Sequence, residues 1–271
     1  MSRHPLEGSW AKLEWAKSHV DTLRYGIAEV KPNLARIPLS RQYEPDEGAV
    51  VWRIDRLPDI RDCWGLLIGD ALHNLRCALD HLWWQLARKH LGREPTEDEA
   101  KQIQFPIFSK RTQWGPDHPY LLHVDSILAN KVEPRQPFHP SQRGDVNFLG
   151  ELVNLSNTDK HRVIHPVLVT SRGIGIPLLD DVQFRDCAPM TRIIDGQSVK
   201  SVSFALGGPA NLNDKVLWIP VSATGKHPDV KFDASVACSI AFGPGSLDVI
   251  TILDGIGSEV AAILADFDPV L

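Results

Sequence analysis

The sequence predicts an α+β protein: an N-terminal helical bundle around a long central helix, followed by a small antiparallel β-sheet with a C-terminal covering helix. Three observations carry this. A run from Asp59 to His90 contains no proline and repeats Ile68, Leu72, Leu75, Leu79, Leu82 and Leu86 at helical spacing. From Val230 to Phe242 every even position is apolar (Val230, Phe232, Ala234, Val236, Cys238, Ile240, Phe242), which is the two-residue period of a half-buried strand. Val249, Ile252, Leu253, Ile256, Val260, Ile263, Leu264 and Phe267 then form the apolar stripe of a closing helix, with Ser246 or Asp248 as its N-cap.

The remaining elements follow in order. Leu6, Trp10, Leu13, Val20, Leu23, Ile27 and Val30 define a first amphipathic helix. Pro32, Pro38 and Pro45 then predict loop, up to a short strand-like run at Val50 to Ile54 that suits a turn or an edge strand. Gly92 terminates the central helix, and Pro95 to Glu99 reads as a fresh acidic helix start. Six prolines between Phe105 and Pro140 leave room only for a short helix around Leu121 to Ala129. A further helix is expected from Asp145 to Asp159, with Phe148, Leu149, Leu152 and Leu155 on its buried side. Weaker strands are expected at Val199 to Leu206 and Lys215 to Val221, around a Gly207-Gly208-Pro209 turn. The expected division is residues 1–165 and 166–271, linked near Pro166 or forming one continuous domain.

With 271 residues, 43% hydrophobic and 23% charged, the chain is long enough for a proper core, and the disordered and fibrous classes are excluded. Lys plus Arg is 29 against Asp plus Glu 34, so the molecule as a whole has no basic surplus to attract nucleic acid or anionic membrane. No run approaches the roughly 20 apolar residues of a membrane span, and MSRHPLEGSW lacks a signal-peptide core, so a cytoplasmic location is expected. Cys63, Cys77, Cys187 and Cys238 contain no C-x-x-C pair, which predicts reduced, mostly packed thiols.

The chemistry-bearing segment is Gly69 to Leu82. At about 100° per residue, its leucines point one way, while Asp70, His73, Asn74, Cys77 and His81 form a stripe on roughly the opposite side. Such a stripe suits a lined pocket, or a central helix touched on all sides whose polar residues bond to neighbours. Arg76 and Asp80, at i and i+4, can pair; buried, such a pair orients something. A second cluster, Asp159-Lys160-His161-Arg162, follows a helix, where the dipole favours its cations in any case.

Arg76-Cys-Ala-Leu-Asp-His81 reads R-x4-H and resembles the R-x(4–6)-H signature of HEPN domains, small all-helical modules of bacterial toxins and defence proteins. The resemblance covers one helix and at most the N-terminal half. It implies metal-independent endoribonuclease activity at a composite site across a homodimer, leaving 2′,3′-cyclic phosphate ends, with no cofactor. Carried over, Arg76 stabilises phosphoryl charge and His81 is the acid or base, with Asn74, Asp80, Lys160, His161 and Arg162 as supporting or RNA-positioning groups. The family commonly has Asn, Asp or His directly after the Arg; here that position is Cys77. Arg76 and His81 also lie about 140° apart around the helix, so they meet only around a bound chain or through a dimer. The combination LHNLRCALDHL, FPIF and DKHR is also similar to a family of bacterial proteins carrying these motifs, a likeness that implies no particular activity.

Two alternatives stand beside the nuclease. Asp70, His73, Cys77 and His81 recur at intervals of three and four, with His161 or His165 as further donors, a spacing that would suit a metal-dependent hydrolase, although Glu-x-x-His and His-Glu-x-x-His are both missing. A non-catalytic helical module for ligand binding or dimerisation is suggested by eight tryptophans, including the adjacent Trp83 and Trp84. Cys77 and His81 as nucleophile and base form a weaker version of the enzyme reading. No P-loop, dinucleotide loop or G-x-S-x-G is present.

Overall fold

The structure, a computed structural model, describes residues 4–139, 146–161, 164, 166–175, 192–194, 197–199, 203–204, 210–220, 235–242 and 247–271. It is α+β, and the chain forms two compact units that are interleaved in sequence. Met1–Tyr25, Asp62–His165 and Val249–Leu271 make the helical unit; Gly26–Arg61 and Pro166–Asp248 make the sheet unit. The expected junction after residue 165 is therefore one of several places where the chain passes from one unit to the other.

Helix α1 (Glu7–Ala35) runs past the expected end at Val30 and carries Pro32 inside its last turns. The stretch read as loop after it is strand β1 (Ile37–Glu44), paired antiparallel with β2 (Ala49–Ile54) from Leu39↔Ile54 to Glu44↔Ala49. Pro38 is tolerated because it enters at the beginning of the strand, where its carbonyl still accepts from the Asp55 N–H at 3.2 Å. With β3 (Val167–Gly175), β6 (Ser203–Phe204), β7 (Lys215–Pro220) and β8 (Ser235–Ala241), the six-stranded sheet has the order β3-β8-β1-β2-β7-β6, and every pairing is antiparallel. Strands β4 (Arg192–Ile194) and β5 (Gln197–Val199) form a separate pair. The expected segment 230–234, the Gly207-Gly208-Pro209 turn, Leu206 and Val221 lie outside the described residues.

The helical unit is built around α2 (Cys63–Leu91), the expected central helix. Its Ile68, Leu72, Leu75, Leu79, Leu82 and Leu86 are all buried, and Gly92 ends it at φ 65°, its N–H bonded to the Arg88 carbonyl at 2.9 Å. Trp83 is buried and donates its indole N–H to the Tyr120 carbonyl at 2.7 Å, whereas Trp84 is half-buried. Two short helices follow. Thr96 and Glu99 form a capping box on α3 (Glu97–Ala100), and Asp125 caps α4 (Ser126–Asn130). Arg93 and the Thr96 backbone together hold the Glu99 carboxyl at about 2.

Helix α5 (Phe148–His161) and helix α6 (Val249–Phe267) complete the unit, and both pack on α2 and on each other. Both ends of α5 are seated by a missing side chain on a neighbour. A Cβ on Gly255 of α6 would fall 2.1 Å from the Phe148 ring, and one on Gly69 of α2 would fall 2.6 Å from the Asp159 carboxylate. The first notch admits a rigid ring, so Gly255→Ala is expected to lower stability by about 1–3 kcal/mol in urea denaturation, as overpacking does. Gly69→Ala should cost less, because a carboxylate can swing aside.

Candidate functional site

The polar residues singled out on α2 fall into two groups in the structure. The first holds a loop. Arg76 Nη2 donates to the Phe105 carbonyl at 2.7 Å, while Asp80 Oδ1 accepts the Phe105 N–H at 2.9 Å. The two side chains also bind each other, Nε to Oδ2 at 3.3 Å and Nη2 to Oδ1 at 3.2 Å. An i, i+4 ion pair thus captures both polar groups of one backbone residue, replacing the partners a strand would have supplied. With 15% of the Arg76 side chain exposed, the guanidinium is largely shielded by this arrangement.

Phe105 then packs its ring edge-on against Trp83, with centroids 5.3 Å apart. Three residues on, buried Gln136 repeats the device: its Oε1 accepts from the Phe108 N–H at 2.8 Å and its Nε2 donates to the Pro106 carbonyl at 3.0 Å. The FPIF segment, Phe105 to Phe108, is therefore fixed by side chains on both flanks, which is how a proline-rich stretch with no strand of its own satisfies its backbone while buried.

The second group faces α1 and solvent. Asn74 is buried, takes a hydrogen bond from Lys12 Nζ on α1 at 3.1 Å and donates to the Asp70 carbonyl at 2.8 Å. His73 and His81 are exposed; His73 Nε2 lies 3.5 Å from Cys77 Sγ, and His81 Nδ1 lies 3.4 Å from where a Cβ on Gly8 would sit. Asp70 is exposed one turn earlier. Burial pushes the Cys77 thiol above its ordinary value, Lys12 and Arg76 pull it back, and Asp80 adds to the rise. The thiol at neutral pH is thus protonated and a poor nucleophile despite its imidazole neighbour.

Arg76 and His81 are not brought together: one reaches the Phe105 peptide, the other the α1 flank. Asp159, Lys160 and His161 form the last turn of α5 rather than following it, and Lys160 and His161 are exposed there; Arg162 and His165 lie outside the described residues. The Asp159 carboxylate rests against Gly69, so the tetrad's first residue anchors the helix next to the start of the polar face. The metal alternative finds no assembled ligand set among the described residues, with His165 lying outside them. Asp70, His73, Cys77 and His81 spread over about 16 Å of one helix, and among the described residues no group of three or more His, Cys, Asp and Glu side chains could hold an ion. Of the cysteines, Cys63 is exposed, Cys77 intermediate and Cys238 buried. Lys12 and the Phe105 peptide are the participants sequence reasoning missed; only the buried-pair argument for Arg76 and Asp80 hinted at the second.

Compared with known proteins, no family model matches the chain, and no curated protein or solved structure is significantly similar to it. No described helix is long and apolar enough to cross a membrane.

Two measurements check this site. Arg76→Ala and Asp80→Ala should each cost about 1.5–3 kcal/mol in chemical denaturation, and the double variant less than their sum, because each leaves a charged partner behind. Alkylation of Cys77 followed by mass spectrometry should be slow at pH 7, quicken about tenfold per pH unit and still be climbing at pH 9, since a raised thiol pKa moves the plateau above the ordinary thiol value.

Proposed function

We propose that the chain is a non-catalytic helical binding protein whose functional surface is the free half of the polar face of α2. The observation that carries this is the commitment of Arg76: the only cation of the R-x4-H pattern is ion-paired to Asp80 and bonded to Phe105, so its charge is already compensated. A phosphoryl group developing charge would have to compete with both partners. What remains accessible, His73, His81 and Asp70, is a mixture of imidazole donors and acceptors with one carboxylate beside the Lys12–Asn74 bond. That inventory recognises a polar ligand by hydrogen bonding, without a charge surplus that would select a polyanion.

The HEPN-like endoribonuclease is the second reading, favoured by two observations: His81 is exposed, as a general acid or base must be, and Lys160 and His161 are exposed on α5. In that reading RNA is the partner and the active centre is completed by a second chain.

Incubating metal-free protein with a mixed RNA pool in chelator distinguishes the two. The binding reading expects no cleavage by wild type. Cleavage that leaves cyclic phosphate ends and disappears in His81→Ala would overturn it in favour of the nuclease. The binding reading further expects that small polar ligands found to raise the thermal midpoint of wild type lose that effect in the His73→Ala/His81→Ala variant, with helical circular dichroism unchanged.

A further inference from the structure

Helix α1 presents to solvent a face that its own unit leaves uncovered. Trp15 is 60% exposed and Tyr25 72% exposed, among the largest exposures of any large hydrophobic side chain described. Beside Trp15, the residues Glu14, Lys17, Ser18, Asp21, Thr22 and Tyr25 line a shallow depression of about 610 Å³. Trp15, Ser18, Thr22 and Tyr25 recur at three, four and three residues, so they lie along one side of the helix. Aromatic side chains of this size, exposed and rigid, are the residue types that anchor interfaces.

The charges beside them choose the occupant. Along this stretch they run Glu14, Lys17, Asp21, Arg24, alternating in sign. Reversed, the pattern becomes its own complement. Two copies laid antiparallel about a two-fold axis near His19 would set Glu14 opposite Arg24 and Lys17 opposite Asp21. Two parallel copies would set like against like. The same axis brings Trp15 of one chain opposite Tyr25 of the other and puts the small Ser18 and Thr22 at the centre, where the backbones approach. Within a single chain these charges already pair locally, Lys17 with Glu14 at 2.7 Å and Arg24 with Asp21 at 3.5 Å and Asp254 at 2.7 Å, so a second copy would extend an existing network instead of desolvating isolated ions.

We infer that the outer face of α1 is a self-association surface, and that its partner is a second copy of this chain bound antiparallel. The interface is isologous, as a closed two-fold requires. It is also small. The paired stretch from Glu14 to Tyr25 is about 17 Å long, and one helix per chain buries less than the roughly 1,200 Å² of standard stable interfaces, so association should be weak and depend on concentration.

Sedimentation equilibrium tests this on the full chain. As chain concentration rises from about 5 to about 500 micromolar, the mass of wild type is expected to climb from 30.2 kDa toward twice that value. Asp21→Lys should weaken association at least about tenfold, because it faces Lys17 of the second copy with a like charge; adding Lys17→Asp to it should restore association. Tyr25→Ala should weaken it with the charges intact. A wild type that stays monomeric throughout, an Asp21→Lys variant that associates normally, or a double swap as weak as the single would each overturn the inference. Circular dichroism confirms that the variants, all on the solvent side of α1, remain folded.

Discussion

The helical unit depends on one charged pair gripping both backbone polar groups of one residue. Arg76 and Asp80 project from consecutive turns of α2 and take hold of the carbonyl and N–H of Phe105. Everything from Phe105 to Phe138 is poor in regular structure, and a buried loop without partners for its backbone would be untenable. The pair supplies those partners at the point where the loop enters the core, Gln136 supplies the next set, and Trp83 ties down the Tyr120 carbonyl further on. Side chains of a helix and of a 3-10 turn thereby replace a strand.

That arrangement determines what the polar face of α2 has left to offer. The stripe of Asp70, His73, Asn74, Cys77 and His81, with the Arg76–Asp80 pair beside it, reads in one dimension as a single functional surface. In three dimensions α2 is contacted on both flanks of the stripe. The Arg76–Asp80 edge belongs to the FPIF loop, Asn74 belongs to Lys12 of α1, and only the histidines and Asp70 between and beside them are open to solvent. The guanidinium is thereby committed to Asp80 and to the loop, with 15% of its side chain exposed.

The sequence made α2 and α6 plain, because long proline-free runs with uninterrupted apolar spacing have one compact solution. Strand β1 was hidden for the opposite reason: Ile37 to Glu44 alternates weakly, begins with a proline at its second position and is defined by its neighbours in the sheet. The pairing of Arg76 with Asp80 was legible from their spacing, and the angle that separates Arg76 from His81 was legible from helix geometry. The object the pair holds was not, since nothing local links residue 80 with residue 105. Nor did Gly69 or Gly255 reveal its purpose; a glycine notch is visible only once the side chain that fills it, Asp159 or Phe148, is in place.

The most direct test of this account is amide hydrogen exchange at Phe105. If its N–H is held by Asp80 as the geometry requires, it will exchange as slowly as the central amides of α2 in wild type, and protection will fall selectively in Asp80→Asn and Arg76→Ala. A Phe105 amide that exchanges at the rate of an open chain in wild type would contradict the account, and would return Arg76 to the list of side chains free to act on a ligand.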